Sequence, residues 1–388
     1  MCASNRKKIS SVQYHLLIIN LLFIIFSLPD HCFSLDPPPL TPVEEFFIQN
    51  NFSIPPVPAD WHLTVEGAVH NVLSLTLEDL MNYPATTLMA TLECPMPTEM
   101  LIGNANWTGV PLHTIIEATS PLNEAQSISF YALDGYSIRF SLNDMLQRED
   151  IILAYGMNGE TLPLEQGYPL RLVVPGVFGY QWMQWVERIE ITTDPSANTL
   201  RSFPAHYKIV EPKDEETITL CDHTISGLAF VGEGREITNV GVSTDGGVTW
   251  EPAELLTYFI PNVWKFWEFN WDVPQEGEYQ ICARAEDNLG NVQGELGPFG
   301  WRTPGITAQV VDNLCRGDFE SDGDVDGTDA IKFKTDFGRK SPTNPCTATN
   351  PCNGDFDCDG NVDGSDAILL KKDFGRRDCP SCSFACYY

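Results

Sequence analysis

The sequence predicts a multi-domain chain in three parts: an α+β domain, an all-β immunoglobulin-like sandwich, and a small helical module built on acidic loops. Three observations predict it. Between residues 61 and 193, short strand-like runs alternate with a few helical ones, a mixture that reads as α+β. Between 217 and 303, strand patterns recur at short spacing with turn signals between them, as in a sandwich. Beyond 315, one acidic segment occurs twice in register, and such repeats are the strongest organising signal a sequence carries. A chain of 388 residues is also too long for one ordinary core.

The first 34 residues read as a signal peptide. Arg6, Lys7 and Lys8 form a basic start, and Leu16 to Leu28 is an almost unbroken apolar run. That run is of the length removed on export and short for a membrane span. No second long apolar run follows, so the mature chain is expected to be exported with no membrane span. Residues 35–60 are Pro-rich (Pro37 to Pro39, Pro55, Pro56, Pro58) and are expected to run as an extended lead-in.

The α+β domain is placed at 61–200. Its strand-like runs include 61–65, 128–131 and 170–174, and its helical ones 75–83 and 111–118. The sandwich is placed at 201–308, with strands at 237–242, 264–271 and 279–285. Asp245-Gly246-Gly247 and Asp287 to Asn291 supply turns. Cys221 and Cys282 either bridge this sandwich or sit in it unlinked. The tail is placed at 309–388.

Net charge is -30, which argues against nucleic acid and anionic membrane surfaces as partners. Cys315, Cys346, Cys352, Cys358, Cys379, Cys382 and Cys386 all lie in the tail. That density reads as disulfide stapling in an oxidising compartment. Zinc is the other reading for Cys379 and Cys382, although no second pair completes a tetrahedral set.

The repeat supplies calcium chemistry. Each copy places acids at loop positions 1, 3, 5, 9 and 12, with glycine at 6. In the first copy these are Asp318, Glu320, Asp322, Asp326 and Asp329, with Gly323; in the second they are Asp355, Asp357, Asp359, Asp363 and Asp366, with Gly360. Position 7 (Asp324, Asn361) would donate its backbone carbonyl. Such crowded carboxylates repel one another, so the loops should need a cation to order. One amphipathic helix follows each loop, at 330–337 and 367–374, and each copy ends in Asp-Phe-Gly-Arg. Loop-then-helix in duplicate resembles the type I dockerin. The resemblance implies calcium and a cohesin-like partner. A self-contained structural knob or surface tether is the other reading.

Six motifs in order make residues 61–193 resemble the molybdopterin-binding domain of the sulfite oxidase family. They are Leu63 to Gly67, Thr91 to Cys94, Trp107 to Leu112, Asp134 to Tyr136, Ala154 to Glu160 and Gly167 to Gly176. Residues 217–303 resemble that family's dimerisation domain, through Val242 to Trp250 and Arg284 to Asp287. The resemblance implies a molybdenum-molybdopterin cofactor, oxygen-atom transfer, an external electron carrier and a homodimer. It implies Cys94 as the metal's thiolate ligand, Tyr155 as an active-site tyrosine and Arg171 as a cofactor-phosphate contact.

The same comparison shows departures. Residues 35–200 hold no lysine and only Arg139, Arg148, Arg171 and Arg188, against 20 acidic residues. Gln49, Asn51, Gln166, Gln181 and Gln184 stand where the family carries basic residues, and Pro95-Met96-Pro97 follows the ligand cysteine. Anion recognition depends on such cations. Two readings remain: an enzyme acting on a substrate other than sulfite, or a cofactor-free relic used as a binding scaffold. A hydrolase is a third class without a readable catalytic set.

Overall fold

The computed structural model describes residues 37–50, 52–95, 100–220, 222–292, 305–311, 315–320, 322–347, 350–357, 359–377 and 379. The expected signal peptide, Cys221, Cys358, Cys382 and Cys386 lie outside them.

The first domain has two sheets. Its elements run β1 (Leu63–Gly67), β2 (Leu73–Leu75), α1 (Leu77–Met81), β3 (Thr86–Pro95), β4 (Met100–Pro111) and α2 (Leu112–Thr119). They continue with β5 (Ser127–Ala132), β6 (Ser137–Ser141), α3 (Leu142–Leu146), β7 (Ile152–Met157), β8 (Glu160–Thr161), β9 (Arg171–Val173) and β10 (Val186–Thr192). One sheet has the order β2-β1-β10-β5-β6; the other runs β3-β4-β7-β8, with β9 also on β7. The pairing of β1 with β10 is parallel. Helix α1 starts where the sequence caps it: Thr76 accepts from the Asp79 amide while Asp79 accepts from the Thr76 amide, a reciprocal box. A core of Leu63, Val65, Trp107, Ile115, Phe130 and Leu172 fills the space between the layers.

The second domain is a sandwich, as expected. Its strands are β11 (His206–Glu211), β12 (Glu216–Thr219), β13 (His223–Phe230), β14 (Ile237–Ser243), β15 (Glu251–Pro252), β16 (Glu254–Leu255), β17 (Lys265–Trp271), β18 (Gly277–Asp287) and β19 (Ile306–Val311). They form sheets β11-β13-β17-β16 and β12-β19-β18-β14-β15, packed about Ile225, Val240, Trp267 and Ile281. Cys282 is a free thiol, not one half of a bridge.

The long β3–β4 hairpin has Cys94 opposite Leu101. It lies at the edge of its sheet, so ladder bonds hold β3 from one side only. The second domain covers the other side. The Thr91 amide donates to the Asn262 carbonyl at 3.0 Å, and the Trp264 amide donates to Thr91 Oγ1 at 3.1 Å. Asn262 Nδ2 donates to Asp150 at 3.2 Å and Asn262 Oδ1 accepts from the Gly234 amide at 2.8 Å. A side chain at Gly176 would meet that Oδ1 at 2.3 Å, and its φ of +77° favours glycine as well. Phe203 packs edge-on against Phe178 and Phe230. Within this contact His206 Nε2 meets both Glu93 carboxylate oxygens, at 2.9 and 2.8 Å, and its Nδ1 lies 2.9 Å from the Pro204 carbonyl. Both side chains are fully buried.

The tail has helices α4 (Gly327–Asp336) and α5 (Gly364–Asp373), with Val325, Phe333, Phe356, Val362 and Leu370 between them. Phe356 stacks on both Phe319 and Phe333. The repeats clasp reciprocally. Val325 bonds to Gly375 and Arg376, while Val362 bonds to Gly338 and Arg339. Cys315 is bonded to Cys379 and Cys346 to Cys352. Cys379 is therefore a disulfide partner, which removes the zinc reading.

Burial acts to lower the pKa of His206, but the Glu93 carboxylate overrides it and the net shift is upward. A raised histidine contributes stability that is complete below its ordinary value of about 6.5 and is lost as pH rises through the elevated one. Denaturation midpoints taken across that range should fall with pH in the wild type and much less in His206→Gln. Equal slopes would show that the pair carries no such linkage.

Candidate active site and calcium loops

Cys94 opens into a cavity of about 190 Å³ lined by Phe47, Gln49, Leu92, Asp134, Tyr136, Arg171, Gly179, Tyr180, Trp182, Met183 and Gln184. Five separate stretches of the first domain meet there. The lead-in is tied in because Gln166 Nε2 donates to the Phe47 carbonyl at 3.0 Å. The short helical turn Gly179–Gln181 passes close over the end of β3, and a side chain at Gly179 would meet the Glu93 carbonyl at 2.8 Å. Burial, then the neighbouring Glu93 carboxylate, push the Cys94 thiol up.

Arg171 is the buried cation of this cavity. Its Nη1 donates to the Gln166 carbonyl at 2.8 Å and to Gln166 Oε1 at 3.2 Å. The guanidinium lies over the Trp107 ring at 5.2 Å, and its buried Nε has no hydrogen-bond partner. Burial pushes its pKa down to about 9, so it keeps its charge at neutral pH without a carboxylate partner among the described residues.

Tyr136 also lines the cavity, its hydroxyl donating to the Tyr180 carbonyl at 3.1 Å. Tyr155, expected here, is half-buried on β7 and packs against the domain core; it is not among the lining residues. Asp134-Gly135-Tyr136 was visible as a motif, but Tyr136 lies in the turn between β5 and β6 while Tyr155 lies on β7 of the other sheet, and spacing does not say which of them reaches the cavity. The substituted glutamines are held by backbone. Gln181 donates to the Thr199 carbonyl and accepts from the Arg201 amide. Gln184 donates to the Glu165 carbonyl.

In the tail, Glu320, Asp326 and Asp329 converge within 4.8 Å, as do Asp355, Asp357 and Asp359. Asp318 accepts from the Asp322 and Gly323 amides, and Asp355 from the Asp359 and Gly360 amides. Asp329 and Asp366 each bind two loop amides. Asp326 and Asp363 cap the helices. Asn361 Oδ1 accepts from the Ser341 amide, which leaves its backbone carbonyl for the position-7 role. Burial and the carboxylates of Asp322 and Asp326 raise the pKa of Asp324, and its buried Oδ1 has no hydrogen-bond partner. An oxygen-rich set under mutual repulsion is what a hard cation relieves. One asymmetry stands out: Lys332 Nζ pairs with Glu320 at 2.6 Å, whereas Leu369 holds that place in the second copy.

Comparison with known proteins now bears on both regions. Residues 51–200 match the oxidoreductase molybdopterin binding domain, 197–310 the Mo-co oxidoreductase dimerisation domain and 316–375 the dockerin type I domain. The first two domains are thus similar to those of sulfite oxidases. It is 30% identical over 342 residues to human mitochondrial sulfite oxidase, covering 72% of this chain and 63% of that enzyme, so the chain spans less than two thirds of that relative. It is 28% identical over 337 residues to the sulfite oxidase of Arabidopsis thaliana, covering 69% of this chain and 85% of that one. The sulfane dehydrogenase SoxCD of Paracoccus pantotrophus superposes with a TM-score of 0.60 at 26% identity, covering 75% of this chain and 87% of that one.

The residues present fit the sulfite oxidase family's cofactor at two points. A soft thiolate ligand suits molybdenum, and a buried cation with an orphaned Nε suits an anionic phosphate. An unpaired buried charge destabilises the fold. Arg171→Met should therefore stabilise the cofactor-free protein by about 1–3 kcal/mol, read as a higher urea midpoint. A lower midpoint would mean that the bonds to Gln166 outweigh the burial of charge.

Proposed function

We propose that this protein is an exported molybdenum-cofactor oxidoreductase that transfers an oxygen atom to or from an uncharged substrate, and is tethered through its calcium module. The observation that carries it is one cavity lined by Cys94, Tyr136 and the buried Arg171, whose guanidinium has an unpartnered Nε. When bound, the cofactor supplies the two-electron redox centre and the transferred oxygen. Cys94 would ligate its metal and Arg171 would neutralise its phosphate. Tyr136 would orient the substrate by hydrogen bonding. Phe47, Leu92, Trp182 and Met183 exclude water. Asp134 in the wall opposes a dianion such as sulfite, and the glutamines bound to backbone do not replace the lost cations. Electrons leave to an external carrier, and the sandwich pairs two subunits.

The targeting pattern at 1–34 and the bonded cysteines of the tail support export. The dockerin match supports a cohesin-like partner. The cofactor-free scaffold is the second reading, favoured by Gln166 and Gln181 being engaged as structural hydrogen-bond partners.

Elemental analysis of native protein should find near-stoichiometric molybdenum, abolished by Cys94→Ser, with sulfite a poor substrate beside neutral oxo compounds. Calcium without molybdenum would select the scaffold. In a calcium titration the second loop should fill first, because the Lys332–Glu320 pair competes in the first. A solvent-screened pair of this kind is weak, so Lys332→Leu should narrow a gap of roughly fivefold; simultaneous filling in the wild type would contradict this.

A further inference from the structure

The Glu93–His206 pair lies next to the cavity without lining it, and the chemistry above makes no use of it. Its position on the strand gives it a role. Successive side chains on a strand point to opposite faces, so Glu93 enters the second domain while Cys94 enters the cavity. Whatever fixes the Glu93 side chain fixes the rotation of β3 at that point, and with it the aim of the thiol. The need for such a hold is local. β3 is an edge strand supported by β4 alone, and Cys94 is its penultimate residue. Two residues before Glu93, Thr91 is already bonded through its amide and hydroxyl to Asn262 and Trp264 of the second domain. His206 completes this series at the site itself, with its own ring fixed by the Pro204 carbonyl and by packing against Phe203 and Phe230.

We propose that His206 is a positioning residue for Cys94: by clamping Glu93 from the second domain it sets where the thiol points, so the cavity is a two-domain site. The second domain then serves the metal-binding end of the first as well as pairing subunits. The inference rests on the reading of Cys94 as the metal ligand.

The test is the iodoacetamide alkylation rate of Cys94 in the full-length, cofactor-free chain, followed by peptide mass spectrometry. Cys282, a free thiol of the second domain, is the internal reference for global loosening. His206→Phe removes the clamp but leaves a buried unpaired carboxylate and so endangers folding. The decisive comparison therefore holds residue 93 constant. In E93Q/H206Q the charge is gone and an amide clamp remains; in E93Q/H206F the charge and the clamp are both gone. Cys94 should react about tenfold faster in the second than in the first, with Cys282 unchanged. Equal Cys94 rates would overturn the proposal, as would a parallel rise at Cys282, which marks a merely structural role. Molybdenum content after loading is the separate readout. Its absence from the wild type would remove the ligand reading while leaving the alkylation result to stand on its own.

Discussion

A charge taken out of water needs a counter-charge or a full set of hydrogen bonds, and that constraint organises this molecule at three places. Glu93 and His206 satisfy it mutually, and in doing so join the first domain to the second beside the cavity. Arg171 satisfies it only in part, through Gln166 and the Trp107 ring. The tail carboxylates satisfy it through loop amides, which hold each loop in shape but leave its negative charge in place. The first site is closed, while the second and third leave charge uncompensated.

The glutamines give the body its distinct character. Replacing basic residues by amides of similar reach keeps a side chain's packing while removing its charge. Gln166 and Gln181 brace the lead-in and the segment after residue 198. The cavity wall thus combines one buried cation with neutral amides.

How much was legible depended on the range of each interaction. The acidic loops were readable because their carboxylates are local, repeated and fixed in spacing. The sandwich was readable from alternating strands and from glycine turns such as Gly246 and Gly247. Cys94 and Arg171, named through motif order, both line one cavity, and Tyr155, named the same way, does not, whereas Tyr136 does; which of two tyrosines on different sheets reaches a cavity is a tertiary property. His206 carried no sequence signal at all: its partner is 113 residues away. The Asp-Phe-Gly-Arg endings were seen as repeats, but their reach into the opposite loop was not, since neither half contains the information alone.

The covalent closure of the tail has a consequence for endurance. Cys315 and Cys379 join the two ends of the module, and the reciprocal clasp interlocks its halves. A protease that cuts the stretch between α4 and α5 therefore releases nothing: both fragments stay linked to each other and to the body. The module therefore survives a nick that would part the two halves of a simple linear linker.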